Sequence, residues 1–439
     1  MESNFEKTGI KKNEKFTESI TFKAMIVGIL ILIMFLPNNM VQELIYERQG
    51  RSREAVYEIS EKWSLAQQIT GPVLSIPYTT KTIGTQDQVI KSEHILYVTP
   101  KELNVNAELV PEERHYGIYK AILYQSTLKI TGSFASLQNL SIPDSEIHWD
   151  KVSILLGISD LRGVTNNVKM SLQGNTYNVK AGRWVKDNGN ALIFDIPNAA
   201  FWNDESSIPY SCELALNGSE KIEFIPIGQN THVSISGNWP APSFIGKFTP
   251  AYQLSDNGFH ASWSVLDINR AIPVSWTEKN IPDFYDSAFG VRLVEMVDHY
   301  QQNMRSAKYS MLFIALTFLV FFFVELLTKT KIHPVQYFLV GIALMIFYTL
   351  LLAISEQLGF GIAYLIASSS TIILITVYCY SIFKGIKPTA ILFSLLVALY
   401  LFLYMTLQME DTALLIGSIG LFLILGIAMY ASRKVKWYK

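Results

Sequence analysis

The sequence predicts an α+β membrane protein. One transmembrane helix is expected near the N-terminus, followed by a large antiparallel β-rich extracytoplasmic domain of sandwich type and a bundle of five transmembrane helices. Half of the 439 residues are apolar and 17% are charged, which is unusual for a soluble chain. The apolar residues concentrate near the N-terminus and after about Tyr309, whereas the segment between them has strand-like alternation.

The first apolar run is "AMIVGILILIMFL", from Ala24 to Leu36. It reaches the roughly 20 residues of a spanning helix if the helix continues past Pro37. We therefore expect a cytoplasmic tail over 1–22 and a transmembrane helix over 23–45. A cleaved signal peptide is the alternative, but the following "LPNNMVQELIYERQGR" has no small-residue cleavage pattern, which favours an uncleaved anchor.

Five more segments are long and apolar enough to span a membrane, and they occupy the C-terminal region 306–439. In hydrocarbon every backbone polar group needs an internal partner, so such segments form helices. The predicted spans are 309–327, 335–354, 361–383, 389–407 and 412–431.

Charge between the spans predicts the orientation. Alternate loops and the C-terminal tail carry lysine and arginine, at Lys329, Lys331, Lys384, Lys387, Arg433 and Lys434. The other loops contain Glu356, Glu410 and Asp411 and no lysine or arginine. The positive-inside rule then predicts cytoplasmic N- and C-termini and an exported domain over 46–305.

The exported domain begins with a helical pattern that should end before Gly71-Pro72. Period-two runs follow, bounded by glycine, proline and asparagine, and they predict antiparallel strands. These runs are "HILYVTP", "AELVP", "STLKITGSF", "YNVKAG", "ALIFDIP", "CELALNGS", "KIEFIPIG" and "HVSISG". Before the second span, "FYDSAFGVRLVEMVDHYQQNMRS" predicts a helix again.

Several function classes lack support in the sequence. A net charge of −1 provides no basic stripe for nucleic acid. The seven histidines have no metal-ligand spacing, and no Walker loop or G-x-S-x-G elbow occurs, so we expect no metal, no cofactor and no enzyme. Ser306 and Lys308 could form a Ser-Lys dyad, but a polar helix flank is the simpler interpretation. Cys212 and Cys379 belong to different regions and predict no disulfide.

Two acids in the membrane region are candidate functional residues. Glu356 lies at a predicted helix end, where the simpler interpretation is a hydrated loop residue. Glu325 lies within the apolar run "FFFVELLTK", four residues before Lys329, so the two can pair on one helix face. Acids within spans also mark ion or proton pathways, and that alternative stays open for both.

Two further candidates lie in the exported domain. Asp160 and Arg162 in "GISDLRG" are close enough to pair, as a structural clamp or within a working site. Trp239, Pro240, Pro242 and Phe244 belong to an aromatic and proline-rich stretch from Ser236 to Val265, "SGNWPAPSFIGKFTPAYQLSDNGFHASWSV". Such a stretch either forms a binding surface for a peptide, glycan or lipid headgroup, or crosses between strands with its aromatic rings in the core.

Long motifs resemble the inner membrane protein CreD family. They are "TGPVLSIP", "ERHYGIY", "GISDLRG", "NWPAPSFIGKFTP" and the stretch from "KYSMLFIALTFLVFFFVELL" to "SEQLGFGIAYLIAS". The resemblance runs from "YERQGRSREAVYEI" to "RKVKWY", nearly the whole chain. It implies a bacterial inner membrane protein associated with cell-envelope integrity, controlled in some bacteria by the CreBC two-component system and linked to the response to β-lactams. It supplies no reaction and no catalytic residues.

Two hypotheses follow. In the first, the protein is not an enzyme, and its periplasmic domain binds an envelope protein, glycan or lipid while the helices hold it in the bilayer. In the second, it is a transporter or membrane enzyme for a lipid-linked or small substrate, with Glu325, Glu356 or Asp160 in the working site.

Overall fold

The computed structural model describes residues 20–83, 89–137, 145–185, 189–197, 199, 202, 207–293, 299–328, 332–409 and nine positions between 415 and 429. The chain forms two compact units. The helical unit comprises Met1–Arg51 and Val297–Lys439, and the β unit comprises Ser52–Met296.

The predicted fold class is confirmed: an apolar helix near the N-terminus precedes a large β-sheet unit, and further apolar helices follow it. Within the described residues, five helical stretches are long and apolar enough to cross a membrane, with α1 and α2 together forming the first. The helices are α1 Ile20–Ile33, α2 Phe35–Trp63, α3 His299–Thr328, α4 Pro334–Leu358, α5 Phe360–Phe383 and α6 Ile386–Gln408. Most of the sixth predicted span, 412–431, lies outside the described residues, although those described within it are helical.

Local sequence sets the ends of α4. His333 caps the start of the helix through two reciprocal hydrogen bonds. Its Nδ1 accepts from the Val335 N–H at 3.3 Å, and its own backbone N–H donates to Oε1 of Gln336 at 3.0 Å. Pro334 starts the helix, where its missing N–H costs nothing. Gly359 ends it with φ of 77°, a conformation that favours glycine, and α5 begins at the next residue.

The β unit contains seventeen described strands. They are β1 Gln67–Ile83, β2 Val89–Val98, β3 Glu102–Tyr116, β4 Tyr119–Ala135, β5 Ser145–Ile147, β6 Ser153–Ile158, β7 Lys169–Leu172, β8 Asn175–Arg183, β9 Asn190–Asp195, β10 Ser207–Ser219, β11 Lys221–Ile225, β12 Asn230–Gly237, β13 Pro242–Gly246, β14 Ala251–Ser255, β15 Gly258–Leu266, β16 Ser275–Thr277 and β17 Phe289–Leu293. All eight period-two runs predicted from the sequence coincide with strands, although "HILYVTP", "ALIFDIP" and "KIEFIPIG" extend two or three residues past the strand end.

The strands form two sheets. One is built around β1, which pairs with β2, β5, β6 and β11. The other has the order β8-β7-β10-β4-β3-β12-β15-β14, and β8 also pairs with β9 of the first sheet. Most neighbours are antiparallel as predicted, but β1 with β11 and β3 with β12 are parallel.

Alternation along the strands builds the core of the β unit. In β3 the buried side chains are Leu103, Val105, Ala107 and Leu109, and the residues between them are exposed. Burying one face of a strand in this way fixes its register, because a slip by one residue would turn the apolar set to water.

The first helix of the β unit ends before Gly71-Pro72 as predicted, since α2 stops at Trp63. The sequence did not indicate that strand β1 runs through Gly71-Pro72, with a register shift between Thr70 and Val73 that accommodates the irregular backbone. One further expectation is wrong in part. The stretch from Phe284 was expected to be helical. It contains strand β17, because Phe289 and Val291 pack into the sheet core, whereas the stretch from His299 onward is helical as predicted.

Candidate functional site

Glu325 is buried in the helical unit and has three partners. Its Oε1 lies 2.5 Å from Nζ of Lys23, and its Oε2 accepts a hydrogen bond of 2.9 Å from the Tyr337 hydroxyl. The backbone N–H of Ile332 donates to Oε1 at 3.4 Å. The expected partner Lys329 lies outside the described residues. The carboxylate therefore joins α1, α3 and the start of α4.

Glu356 belongs to the last turn of α4, and its side chain is only 5% exposed. The Tyr300 hydroxyl of α3 donates to its Oε1 at 3.1 Å, and Nε of Arg48 on α2 lies 3.8 Å from the same oxygen. The interpretation of Glu356 as a hydrated loop residue is therefore wrong. Sequence alone could not reveal this, because both partners come from other helices.

Asp160 is buried in the β unit and accepts several hydrogen bonds. Donors are the backbone N–H of Leu65 at 3.0 Å, the Ser64 hydroxyl at 3.3 Å, and Nε and Nη2 of Arg162, each at 2.9 Å. The Gln67 side chain donates to the Asp160 carbonyl oxygen at 3.0 Å. The pair expected from sequence is formed, and it ties the segment after α2 to the segment after β6.

Arg162 extends this contact to the last turn of α2, since its Nη1 donates to the Glu61 carbonyl oxygen at 3.0 Å. Burial alone would raise the pKa of Asp160, but the hydrogen bonds from Arg162 and Leu65 outweigh it and hold this pKa below 3.8. A carboxylate held ionised by an arginine and backbone N–H groups is a poor proton acceptor, which favours the clamp over a catalytic role.

The aromatic and proline-rich stretch runs from the end of β12 through β13 and β14 into β15. Trp239 and Phe244 are half-buried against the core, Pro242 is half-buried, and Pro240 is exposed. The Phe244 ring lies 6.0 Å, centroid to centroid, from the buried ring of Trp263. The rings of Trp239 and Phe244 therefore pack against the core, as the second interpretation expects.

A cleft that the sequence did not indicate lies elsewhere in the β unit. Its volume is about 230 Å³, and its ten described lining residues are uncharged. Trp184 and Phe284 form an aromatic wall, with ring centroids 6.1 Å apart and planes at 72°. Gln68, Thr70 and Asn190 line the cleft beside them. We call it the Trp184 cleft.

Gly157 makes room for this aromatic wall. A Cβ added at Gly157 would lie 3.0 Å from Cε3 of Trp184 and 3.3 Å from Cβ of Thr70. The indole therefore packs directly on the backbone of β6. The motif "GISDLRG" begins with Gly157, so the sequence contained a hint of the cleft. The neighbours of Gly157, Trp184 and Thr70, are distant in the chain and could not be inferred from that motif.

The described residues give little support to a metal site, a Ser-Lys dyad or a reactive thiol. Within the described part of the chain, no group of three His, Cys, Asp or Glu side chains could hold a metal ion. Ser306 is fully buried whereas Lys308 is exposed, so the two side chains face different surroundings and form no dyad. Cys212 and Cys379 are both buried free thiols. Burial raises the pKa of the Cys212 thiol to about 12, which makes it unreactive.

Comparison with known proteins gives a match over nearly the whole chain. Residues 19–438 match the family described as "Inner membrane protein CreD". The Inner membrane protein CreD of Escherichia coli (strain K12) is 30% identical over 424 residues, covering 93% of this chain and 91% of that protein. Among solved structures, the M1 zinc metallopeptidase from Deinococcus radiodurans is 6% identical over 44% of this chain and 41% of that one, with a TM-score of 0.19, which is too low to carry an argument.

Proposed function

The chain belongs to the CreD family of inner membrane proteins, and we propose that it maintains the cell envelope by holding a periplasmic β unit that binds an envelope glycan. The helices anchor it in the bilayer, with both termini cytoplasmic, and no reaction is catalysed. The charge asymmetry of the loops supports this orientation, since the lysines and arginines collect on one side.

The Trp184 cleft carries the proposal. Aromatic walls with a few polar groups are typical of small-molecule sites, and the absence of charge among its described lining residues favours a neutral ligand. The Gln68 side chain makes no hydrogen bond to another described residue. The Asn190 side chain donates one N–H to the Ser159 carbonyl oxygen at 3.2 Å. Its own amide oxygen is left to accept a hydrogen bond from a ligand. Amide groups beside an aromatic face suit a sugar, which presents hydroxyls at its edge and C–H groups on its face.

The proposal is tested with the full chain in nanodiscs and two neutral probes, chitotetraose and maltotetraose. We expect at least one to bind, and we expect Gln68→Ala and Trp184→Phe to weaken that binding about tenfold, as for a lost hydrogen bond or ring contact. Trp239→Ala is the matched control, because Trp239 is a half-buried tryptophan outside the cleft.

Three results would contradict the proposal that the glycan binds in the Trp184 cleft. One is that neither probe binds. Another is binding that Gln68→Ala and Trp184→Phe leave unchanged. The third is binding that Trp239→Ala alone abolishes, which would assign the ligand to the segment around Trp239, Pro240, Pro242 and Phe244.

A second candidate, transport or membrane enzymology, is favoured by one observation: two carboxylates, Glu325 and Glu356, are buried among the helices. Replacing Glu325, Glu356 and Asp160 singly by alanine in a complemented deletion strain separates the two functions. If envelope integrity survives each change at unchanged protein level, transport or catalysis through these acids is excluded.

A further inference from the structure

The N-terminal half of α3 carries a buried polar face. Asn303, Ser306 and Ser310 recur at intervals of three and four residues, so they lie on one side of the helix, and all three are buried. The Ser310 hydroxyl donates to Oδ1 of Asn38 on α2. Buried polar groups among apolar helices are costly unless each has a partner, so the remaining two positions are informative.

The orientation of the Asn303 side chain is fixed by its neighbours. Ser355 of α4 uses its hydroxyl proton on the Leu352 carbonyl oxygen at 2.9 Å, so its oxygen must accept from Nδ2 of Asn303 at 2.7 Å. Nδ2 also donates to the His299 carbonyl oxygen at 2.7 Å. The amide oxygen Oδ1 is therefore the atom left over, and among the described residues it has no hydrogen-bond donor.

Ser306 departs from the usual behaviour of a hydroxyl in a membrane helix. Such hydroxyls commonly donate to a carbonyl one turn earlier, as Thr317 does to Phe313 at 2.8 Å and Thr376 to Ile372 at 2.7 Å. Ser306 is fully buried, and its Oγ makes no hydrogen bond within the described chain. It is one turn from Asn303 and also one turn from Gln302.

Gln302 adds a third oxygen. Its Oε1 is buried and also has no partner among the described residues. At intervals of three and four, Asn303 and Gln302 both neighbour Ser306 on the helix surface. Gln302, Asn303 and Ser306 thus place two amide oxygens and one hydroxyl oxygen, all buried and without a described partner, at neighbouring positions of α3. Neutral oxygens of this kind suit a hard cation.

We propose that Gln302, Asn303 and Ser306 form a binding site for an alkali-metal cation of the Na⁺ type inside the helical unit. The electrostatic surroundings favour positive charge. Asn303 is hydrogen-bonded to Ser355, which precedes Glu356 in the last turn of α4, and that turn carries the negative end of the helix dipole.

Two positive groups oppose a cation at this site, the Arg48 side chain and the N-terminal end of the α3 dipole, and each has a limited effect. Arg48 lies 3.8 Å from Glu356, which is longer than a hydrogen bond and leaves part of the carboxylate charge uncompensated. The positive end of the α3 dipole acts mainly in the first turn, so it opposes a cation at Gln302 but has less effect at Asn303 and Ser306, which lie beyond that turn. The Glu356 carboxylate and the negative end of α4 therefore favour a cation near Asn303.

The test uses the purified full chain in nanodiscs. Thermal unfolding is measured in NaCl, KCl and choline chloride at equal ionic strength, and binding of radioactive ²²Na⁺ is measured directly. We expect Na⁺ to raise the Tm relative to choline, and Ser306→Ala and Gln302→Ala to reduce Na⁺ affinity about tenfold each, as for one lost ligand. Thr317→Ala is the matched control, because Thr317 is buried on the same helix and its hydroxyl is already satisfied.

Two outcomes would overturn the assignment of a cation site. If the wild-type Tm is the same in Na⁺, K⁺ and choline and no ²²Na⁺ binds, the polar groups hold water only and the cation assignment is wrong. If Thr317→Ala loses Na⁺ binding as fully as Ser306→Ala does, the effect is one of helix packing and the assignment is equally wrong.

Discussion

Tyr337 of α4 donates a hydrogen bond of 2.9 Å to Glu325 near the end of α3. The opposite ends of the same two helices repeat this arrangement in reverse, since Tyr300 of α3 donates to Glu356 near the end of α4 at 3.1 Å. A basic residue from the N-terminal helices lies beside each carboxylate: Lys23 at 2.5 Å from Glu325, and Arg48 at the longer distance of 3.8 Å from Glu356. The α3-α4 pair is thus connected at both ends by a tyrosine and a carboxylate.

Lys23→Met should destabilise the helical unit by about 3 kcal/mol, because it leaves the buried Glu325 without its counter-charge. The measurement is thermal unfolding of the full chain in detergent. Lys308→Met is the control: Lys308 is exposed on α3, so its loss should change stability by less than about 0.5 kcal/mol.

The double change Lys23→Met with Glu325→Gln distinguishes charge from shape. With both charges removed, the amide can still accept from Tyr337, and we expect most of the lost stability to return. A double variant as unstable as Lys23→Met would show that the lysine acts through packing of its stem rather than through its charge.

Asp160→Asn should lower the free energy of unfolding of the β unit by about 2 kcal/mol at pH 7, since it weakens charged hydrogen bonds. Asp160 has a pKa below 3.8 in the folded protein, so its carboxylate stabilises fully above 3.8 and loses that effect as the pH falls through the folded value. The variant should therefore lose less stability than the wild type between pH 5 and pH 3.

Tryptophan fluorescence during urea unfolding of the full chain measures this, because seven of the eight tryptophans lie in the β unit. Asp195→Asn serves as the control, since Asp195 is 52% exposed in its pair with Lys180. Equal losses for the two variants would argue against the clamp.

Gly163→Ala should destabilise the protein by about 2 kcal/mol through overpacking. The added Cβ would lie 2.3 Å from the Asn217 carbonyl oxygen, 2.6 Å from Nε2 of Gln67 and 2.7 Å from Oγ of Ser64. Gly50→Ala has open space in the interior of α2 and should stabilise by up to about 1 kcal/mol. Calorimetry of the full chain gives both values, and a neutral Gly163→Ala would mean that the Asn217 backbone and the Gln67 and Ser64 side chains can move aside.

The fold class could be predicted because the lipid bilayer and water each select a different pattern of apolar residues along the chain. The bilayer demands long apolar helices, and a half-buried sheet demands alternation, as in β3 with Leu103, Val105 and Ala107 inward. Strand β1 was missed because Gly71-Pro72 is a breaker by local rules, and only pairing with β2 and β6 on either side keeps it extended.

The sites could be predicted only as single residues. Glu325 was identified as an unusual acid, but its partner Lys23 is 302 residues away in the chain. Asp160 and Arg162 were found because they are two residues apart. The Trp184 cleft was missed because Trp184 and Phe284 are a hundred residues apart and become neighbours only when the sheets pack.

The orientation in the membrane leads to the last prediction, which single added cysteines can test in whole cells. The native thiols Cys212 and Cys379 are buried, so the unmodified chain should give little background. Asn175→Cys, in an exposed strand end of the β unit, should react with a membrane-impermeant maleimide once the outer membrane is permeabilised. Lys387→Cys, exposed in the first turn of α6 on the predicted cytoplasmic side, should react only after lysis. The opposite pattern would place the β unit in the cytoplasm, where no periplasmic glycan could reach the Trp184 cleft.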